Sequence, residues 1–226
     1  MFKHQVKAVF FDLDGTLVDT APDMALALNL QLKAHDKAPL AFEQIRPWVS
    51  HGAAALLKLG FQITPNDSAF AAYRDEYLKI YSENLAVESK LFSYLKELLE
   101  HFEKNQILWG VVTNKPEFLA LPLLDALGIR DSAAAIVCGD TIKPTKPSPI
   151  PLFLACKQAD LNPNQCIYVG DAKRDIQAAK SAGQYAIAAE YGYIAAEDDF
   201  ENWNADQVVK TSQDLYQLFP ASSSTG

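Results

Sequence analysis

The sequence predicts an α/β protein, a doubly wound and mostly parallel sheet with an all-α domain inserted near its start. Three observations carry that prediction. Five short runs are apolar almost throughout, without the alternation of a half-exposed strand: "VKAVFF" (6–11), "ILWGVVT" (107–113), "AAIVCG" (134–139), "CIYVG" (166–170) and "YAIAAE" (185–190). Strands covered on both faces read this way. Helical patterns separate the later runs, and strand–helix alternation with parallel strands puts helices on both faces of one sheet. Lastly, about 95 residues without a convincing strand separate the first run from the second, far more than the dozen or so a single crossover needs.

The elements follow in order. The first strand, 6–11, ends on Asp12. The long interval holds amphipathic segments instead of strands, "APDMALALNLQLKAHD", "FEQIRPWVSHGAAALLKLG" and "DSAFAAYRDEYLKIYSENL". It is therefore an inserted helical domain over 20–86, with linkers near Asp19–Pro22 and Glu83–Lys90. Residues 1–19 and 87–220 then form the α/β core. Within the core, "FSYLKELLEHFEK" (92–104), "PEFLALPLLDALG" (116–128) and "PIPLFLACKQADL" (149–161) have helical spacing, and "KRDIQAAKSAG" (173–183) ends on a glycine suited to a helix C-terminus. "ADQVVKT" (205–211) adds a weaker sixth strand, and the tail 221–226, "ASSSTG", is expected to be disordered.

Composition narrows the class of partner. The net charge of −8 and an isoelectric point near 5.0 exclude a general nucleic-acid or anionic-membrane surface, which requires a basic patch. No apolar run approaches the ~18 residues of a membrane span, and Lys3, His4 and Lys7 interrupt the N-terminal apolar residues, with no cleavage pattern after them. Cys138, Cys156 and Cys166 are odd in number and lack metal-ligand spacing, as expected of reduced thiols. The expectation is a cytoplasmic monomer or homodimer that acts on a small molecule.

In open parallel sheets, ligands bind beyond the carboxyl ends of the strands. Asp12 ends the first run, Thr113 and Asn114 the second, and Asp171 the fourth, while Asp140 follows the third. The first and fourth ends carry paired acids, in "DLD" and "DAKRD". Asp171 and Asp175 are four apart at a helix start and so share one face. With the first and fourth strands adjacent, Asp12, Asp14, Asp171 and Asp175 gather in one crevice. Such a cluster calls for a counter-cation, and an oxygen-only donor set favours Mg²⁺ over zinc.

"FDLDGTLVDT", "VVTNKP", "KPSP" and "VGDAKRD" together resemble, in order and spacing, the four motifs of the haloacid dehalogenase-like phosphatases, over Val6 to about Ala189. The resemblance implies a Rossmann-like core and makes the helical insert a cap domain. It implies that Asp12 is the nucleophile that forms an aspartyl-phosphate, and that Asp14 protonates the leaving alkoxide and then takes a proton from water. Thr113 and the amide at Asn114 would bind phosphoryl oxygens, and Lys146 would neutralise the phosphate and Asp12. "KPSP" favours Lys146 over Lys143 within "IKPTKPSP". Mg²⁺ would be held by the Asp12 carboxylate, the Asp14 carbonyl and Asp171, with Asp175 orienting a metal-bound water.

Within the family the chain resembles the phosphoglycolate phosphatases in "DTAPDM", "VVTNKP" and "YGY". In "LWGVVTNKP", "RDI" after "GDAK", and "YGYI" followed by "NWNAD", it resembles the related phosphatases of N-acetylmuramate 6-phosphate. Both esters carry a carboxylate besides the phosphate. The cap loop "RPWVSHGAAAL" carries Arg46, Ser50, His51 and Gly52 at the position where such caps reach over the active site and bind substrate, and Arg46 or His51 could pair with that carboxylate. A sugar-phosphate mutase of the family would keep the same motifs, whereas Asp14 argues against a dehalogenase, and the complete catalytic set argues against a non-catalytic binding module.

Overall fold

The structure is a computed structural model, and it describes residues 6–195 and 198–219. In chain order, the N-terminal half holds β1 (Ala8–Phe11), β2 (Val18–Asp19), α1 (Ala21–Ala34), α2 (Phe42–Ile45), a 3₁₀ turn (Arg46–His51), α3 (Gly52–Phe61), α4 (Phe70–Glu83) and β3 (Lys90–Leu91). There follow α5 (Leu95–Lys104), β4 (Leu108–Val112), α6 (Glu117–Ala126), β5 (Ala135–Val137), α7 (Ile150–Gln158), β6 (Cys166–Gly170), α8 (Lys173–Ala182), β7 (Tyr185–Ala189), β8 (Gln207–Val209) and α9 (Ser212–Gln217). The tail 221–226 lies outside the described residues.

The main sheet has the order β5-β4-β1-β6-β7-β8, and every pairing in it is parallel. β1 lies at the centre, with Phe11 opposite Val111 on one side and Val169 on the other. Alternation along β1 separates the core into two layers. Val9 and Phe11 pack with Leu98, Phe102, Leu123 and Leu124, while Ala8 and Phe10 pack with Leu152, Ala155, Ile176 and Ala179 on the opposite face. Phe10 and Phe11 are wholly buried, and each such side chain stabilises the fold by about 1.5–3 kcal/mol.

The insert folds as helices around its own core, in which Leu28, Leu32, Leu56, Tyr77 and Tyr81 meet. It joins the sheet domain through the antiparallel pair β2–β3, which two-residue strands left invisible to sequence patterning. Asp23, buried at the start of α1, secures the return strand of this neck. Its carboxylate accepts from the amides of Val87, Glu88 and Ser89 and from the Ser89 hydroxyl. Among the described residues no helix is long and apolar enough to cross a membrane.

Candidate active site

The register of β1 decides what meets at the sheet edge. Asp12 is the first residue beyond β1, and its amide donates to the Val169 carbonyl at 2.9 Å. Asp171 is the first residue beyond the neighbouring β6 and Thr113 the first beyond β4, so parallel pairing alone brings the three ends together. Oxygens of Asp12, Asp171 and Asp175 lie within 4.8 Å of one another, all buried. Between Asp12 and Asp175 sits the Lys146 ammonium, 3.0 Å from Asp12 Oδ1 and 2.7 Å from Asp175 Oδ1. It also donates to the Val112 carbonyl and the Tyr168 hydroxyl. Lys143 points elsewhere, donating to the Gly139 carbonyl.

Charge is unevenly shared in this cluster. Burial pushes the Asp12 carboxyl up, but the Lys146 and Arg174 cations outweigh it and hold the group below the usual carboxylate range. Asp175 is raised, because burial exceeds the pull of Lys146. Among the described residues Asp171 has no cation of its own: burial, then the Asp12 and Asp175 charges, push it up to about 7. Its oxygens accept instead from neutral donors, the Thr16 hydroxyl at 3.1 Å, the Tyr193 amide at 2.9 Å and the Ser50 hydroxyl at 2.6 Å. Three buried carboxylates, with no nitrogen or sulfur ligand among them, fit a hard divalent cation. Gly15, at φ 83°, passes directly against this group, and a Cβ there would overlap the Asp171 carboxylate.

Asp14 lies apart from the metal-type cluster. Its Oδ1 accepts from the Thr20 hydroxyl at 2.7 Å and from Lys115 Nζ at 2.8 Å. Lys115 is itself buried and donates to the hydroxyl of Tyr81, a cap residue on α4. The motif "VVTNKP" contained this lysine, yet sequence reasoning gave it no role. Thr113 and Asn114 line the same cavity. The Asn114 side chain accepts from the Lys146 amide and donates to the Lys146 carbonyl, which holds the lysine loop against the end of β4.

The cap roofs a cavity of about 460 Å³ above Asp12 and Asp14. Ser50, His51 and Gly52 line it, together with apolar Met24, Val49, Ala53, Tyr77 and Leu119. His51 also lies 3.5 Å from Asp198. Arg46 does not line it. Its guanidinium stacks over the Tyr193 ring, 4.9 Å from the centroid, and donates to the carbonyls of Tyr191 and Gly192. Arg74 from α4 and Arg174 from α8 line the cavity instead, and neither had been singled out. Arg174 lies within the motif "VGDAKRD", the local signal that could have found it, whereas Arg74 is carried to the cavity by α4 and no motif marked it.

A buried carboxylate at the end of a central parallel strand, paired with a lysine and flanked by further acids, makes this a doubly wound α/β protein with its candidate site beyond the carboxyl ends of the strands. The chain belongs to the haloacid dehalogenase-like hydrolase family, whose profile matches residues 9–189. It is 42% identical over 214 residues to the N-acetylmuramic acid 6-phosphate phosphatase of Pseudomonas putida, covering 95% of this chain and 96% of that protein. It is 39% identical over 211 residues to a phosphoglycolate phosphatase of Xanthomonas campestris pv. campestris, covering 93% and 95%. Among solved structures, it superposes on a predicted phosphoglycolate phosphatase from Haemophilus somnus 129pt with a TM-score of 0.83 at 30% identity, covering 96% of this chain and all of that one.

Proposed function

We propose that the chain is a Mg²⁺-dependent phosphomonoesterase whose substrate is a carboxylate-bearing sugar phosphate, N-acetylmuramate 6-phosphate, in preference to 2-phosphoglycolate. The cavity carries this reading. Its volume of about 460 Å³ lies in the range of sites that enclose drug-sized ligands. A two-carbon ester would leave most of that space to water, whereas an acylated hexose phosphate fills it. Apolar Val49, Ala53, Tyr77 and Leu119 suit its acetyl and ring carbons, and the relatives include a phosphatase named for that ester.

Asp12 Oδ2 attacks phosphorus, the ester P–O bond breaks, and Asp14 gives its proton to the departing alkoxide. Asp14 then accepts a proton from the water that attacks the aspartyl-phosphate and frees phosphate. Lys146, wholly buried between Asp12 and Asp175, keeps the nucleophile ionised. Thr113 and the Asn114 amide take phosphoryl oxygens, and His51 and Gly52 line the end of the cavity that receives the leaving group. Asp12, Asp171 and the Asp14 carbonyl would hold Mg²⁺, with Asp175 in support, and the ion would supply neutralisation of phosphoryl charge there. The free, buried thiols of Cys138, Cys156 and Cys166 support a reducing, cytoplasmic location.

The test is phosphate release with Mg²⁺ over a panel of phosphomonoesters. The sugar ester should exceed 2-phosphoglycolate in kcat/KM by about tenfold or more, and the reverse order overturns the substrate assignment. Asp12→Asn should abolish turnover, and residual activity within about tenfold of wild type removes the nucleophile assignment.

A further inference from the structure

The two oxygens of Asp12 have different surroundings. Oδ1 is saturated, accepting from the Leu13 amide at 2.8 Å and facing Lys146 Nζ at 3.0 Å. Oδ2 faces the Arg174 guanidinium, with Nη2 3.8 Å away. That separation is too long for a hydrogen bond. Arg174 lines the cavity above Asp12, and 24% of its side chain is exposed. Its Nη2 is aimed from the cap side, because it donates to the Ser50 carbonyl at 2.7 Å. Its Nε is buried and has no hydrogen-bond partner among the described residues. A forked cation thus stands just beyond contact with the attacking oxygen, fixed by the cap loop, with a donor unspent.

We propose that Arg174 is a catalytic residue, whose guanidinium binds the equatorial oxygens of the phosphoryl group as it passes to Asp12 Oδ2. This rests on the phosphatase reading above. In the step, the ester P–O bond breaks, the Oδ2–P bond forms and the alkoxide takes its proton from Asp14. Arg174 exchanges no proton and offsets charge on oxygens that the step leaves unprotonated. A planar fork matches a phosphoryl face in two hydrogen bonds, which an ammonium does not reproduce. The Ser50 carbonyl makes the placement conditional on a seated cap loop.

Arg174→Ala and Arg174→Lys distinguish this from a purely structural latch. Loss of one preorganised donor to a developing oxyanion lowers kcat by about 10²–10³-fold, and Arg174→Ala should fall in that range, with Arg174→Lys recovering only part. Titration calorimetry with inorganic phosphate, in Mg²⁺, should show Kd weakened about tenfold or more in both variants. Added guanidinium at millimolar concentration should restore part of the Arg174→Ala turnover. A phosphate Kd within about twofold of wild type, whatever the turnover, overturns the proposal. So does a kcat/KM within about threefold of wild type. Should Arg174→Ala not fold, Arg174→Lys carries the same phosphate titration. A wild-type protein that releases no phosphate from any ester, or an active Asp12→Asn, overturns the phosphatase reading itself. Either result is distinct from failure at Arg174 alone.

Discussion

Replacing Asp171 by asparagine should stabilise the metal-free protein at pH 8 while removing a candidate metal ligand. Asp171 is 1% exposed, and burial with the Asp12 and Asp175 charges pushes it to about 7 from 3.8. Between those values the unfolded chain has released a proton that the folded protein still binds. The contribution of Asp171 to stability therefore falls as pH rises through this window, is highest below about 3.8 and levels off above 7. A shift of that size corresponds to about 4 kcal/mol at pH 8. Asparagine imitates the protonated carboxyl and escapes the penalty. Its oxygen can keep the donors Ser50 and Tyr193, and its amide can donate to a reoriented Thr16 hydroxyl, so the local loss is about 1 kcal/mol. The net expectation is a gain of ~3 kcal/mol at pH 8 that vanishes near pH 4. Urea unfolding in EDTA at both pH values measures it. An Asp171→Asn protein no more stable than wild type at pH 8, or one whose gain is the same at pH 4, refutes the reasoning.

Lys146→Met strands two buried carboxylates. It should cost about 3–5 kcal/mol in urea unfolding at pH 8, and a loss below about 1 kcal/mol would contradict the pairing described here. Arg46→Ala removes the ring stacking on Tyr193 and two hydrogen bonds that seat the cap loop. Amide exchange over 46–52 should accelerate and KM should rise several-fold, whereas unchanged exchange in that loop would refute its role as a clasp.

The sheet was legible because its information is local. Each run in "VKAVFF", "ILWGVVT" and "CIYVG" is apolar on both faces, and the observed strands fall inside the predicted ones. Even "ADQVVKT", the weakest run, supplies β8 at the sheet edge. The neck was not legible, since β2 and β3 have two residues each, too few for any period to register. They are also joined across the whole insert. What pins the return strand is one buried carboxylate, Asp23, accepting from amides about 65 residues downstream.

The site divides along the same line. Asp12, Thr113 and Asp171 were readable because each ends a strand, and parallel register then brings strand ends together without help from side chains. Arg46 looked like a substrate contact because it is a cation in the loop that reaches over the sheet. Its long side chain finds an aromatic ring and two carbonyls instead, partners belonging to the 191–193 turn of the core. Lys115, Arg74 and Arg174 had the opposite fate. Lys115 and Arg174 sit inside recognised motifs that gave them no role of their own and Arg74 outside any, and each becomes part of the cavity beside the docked cap: Lys115 through Tyr81, Arg174 through the Ser50 carbonyl, Arg74 by riding on α4. Acids with short side chains are placed by the backbone that carries them. Lys146 was readable because its motif fixes it beside Asp12 and Asp175 within the sheet domain. Arg46, Arg74 and Arg174 are instead placed by whatever surface lies within reach, so their assignment requires the tertiary contact between cap and sheet.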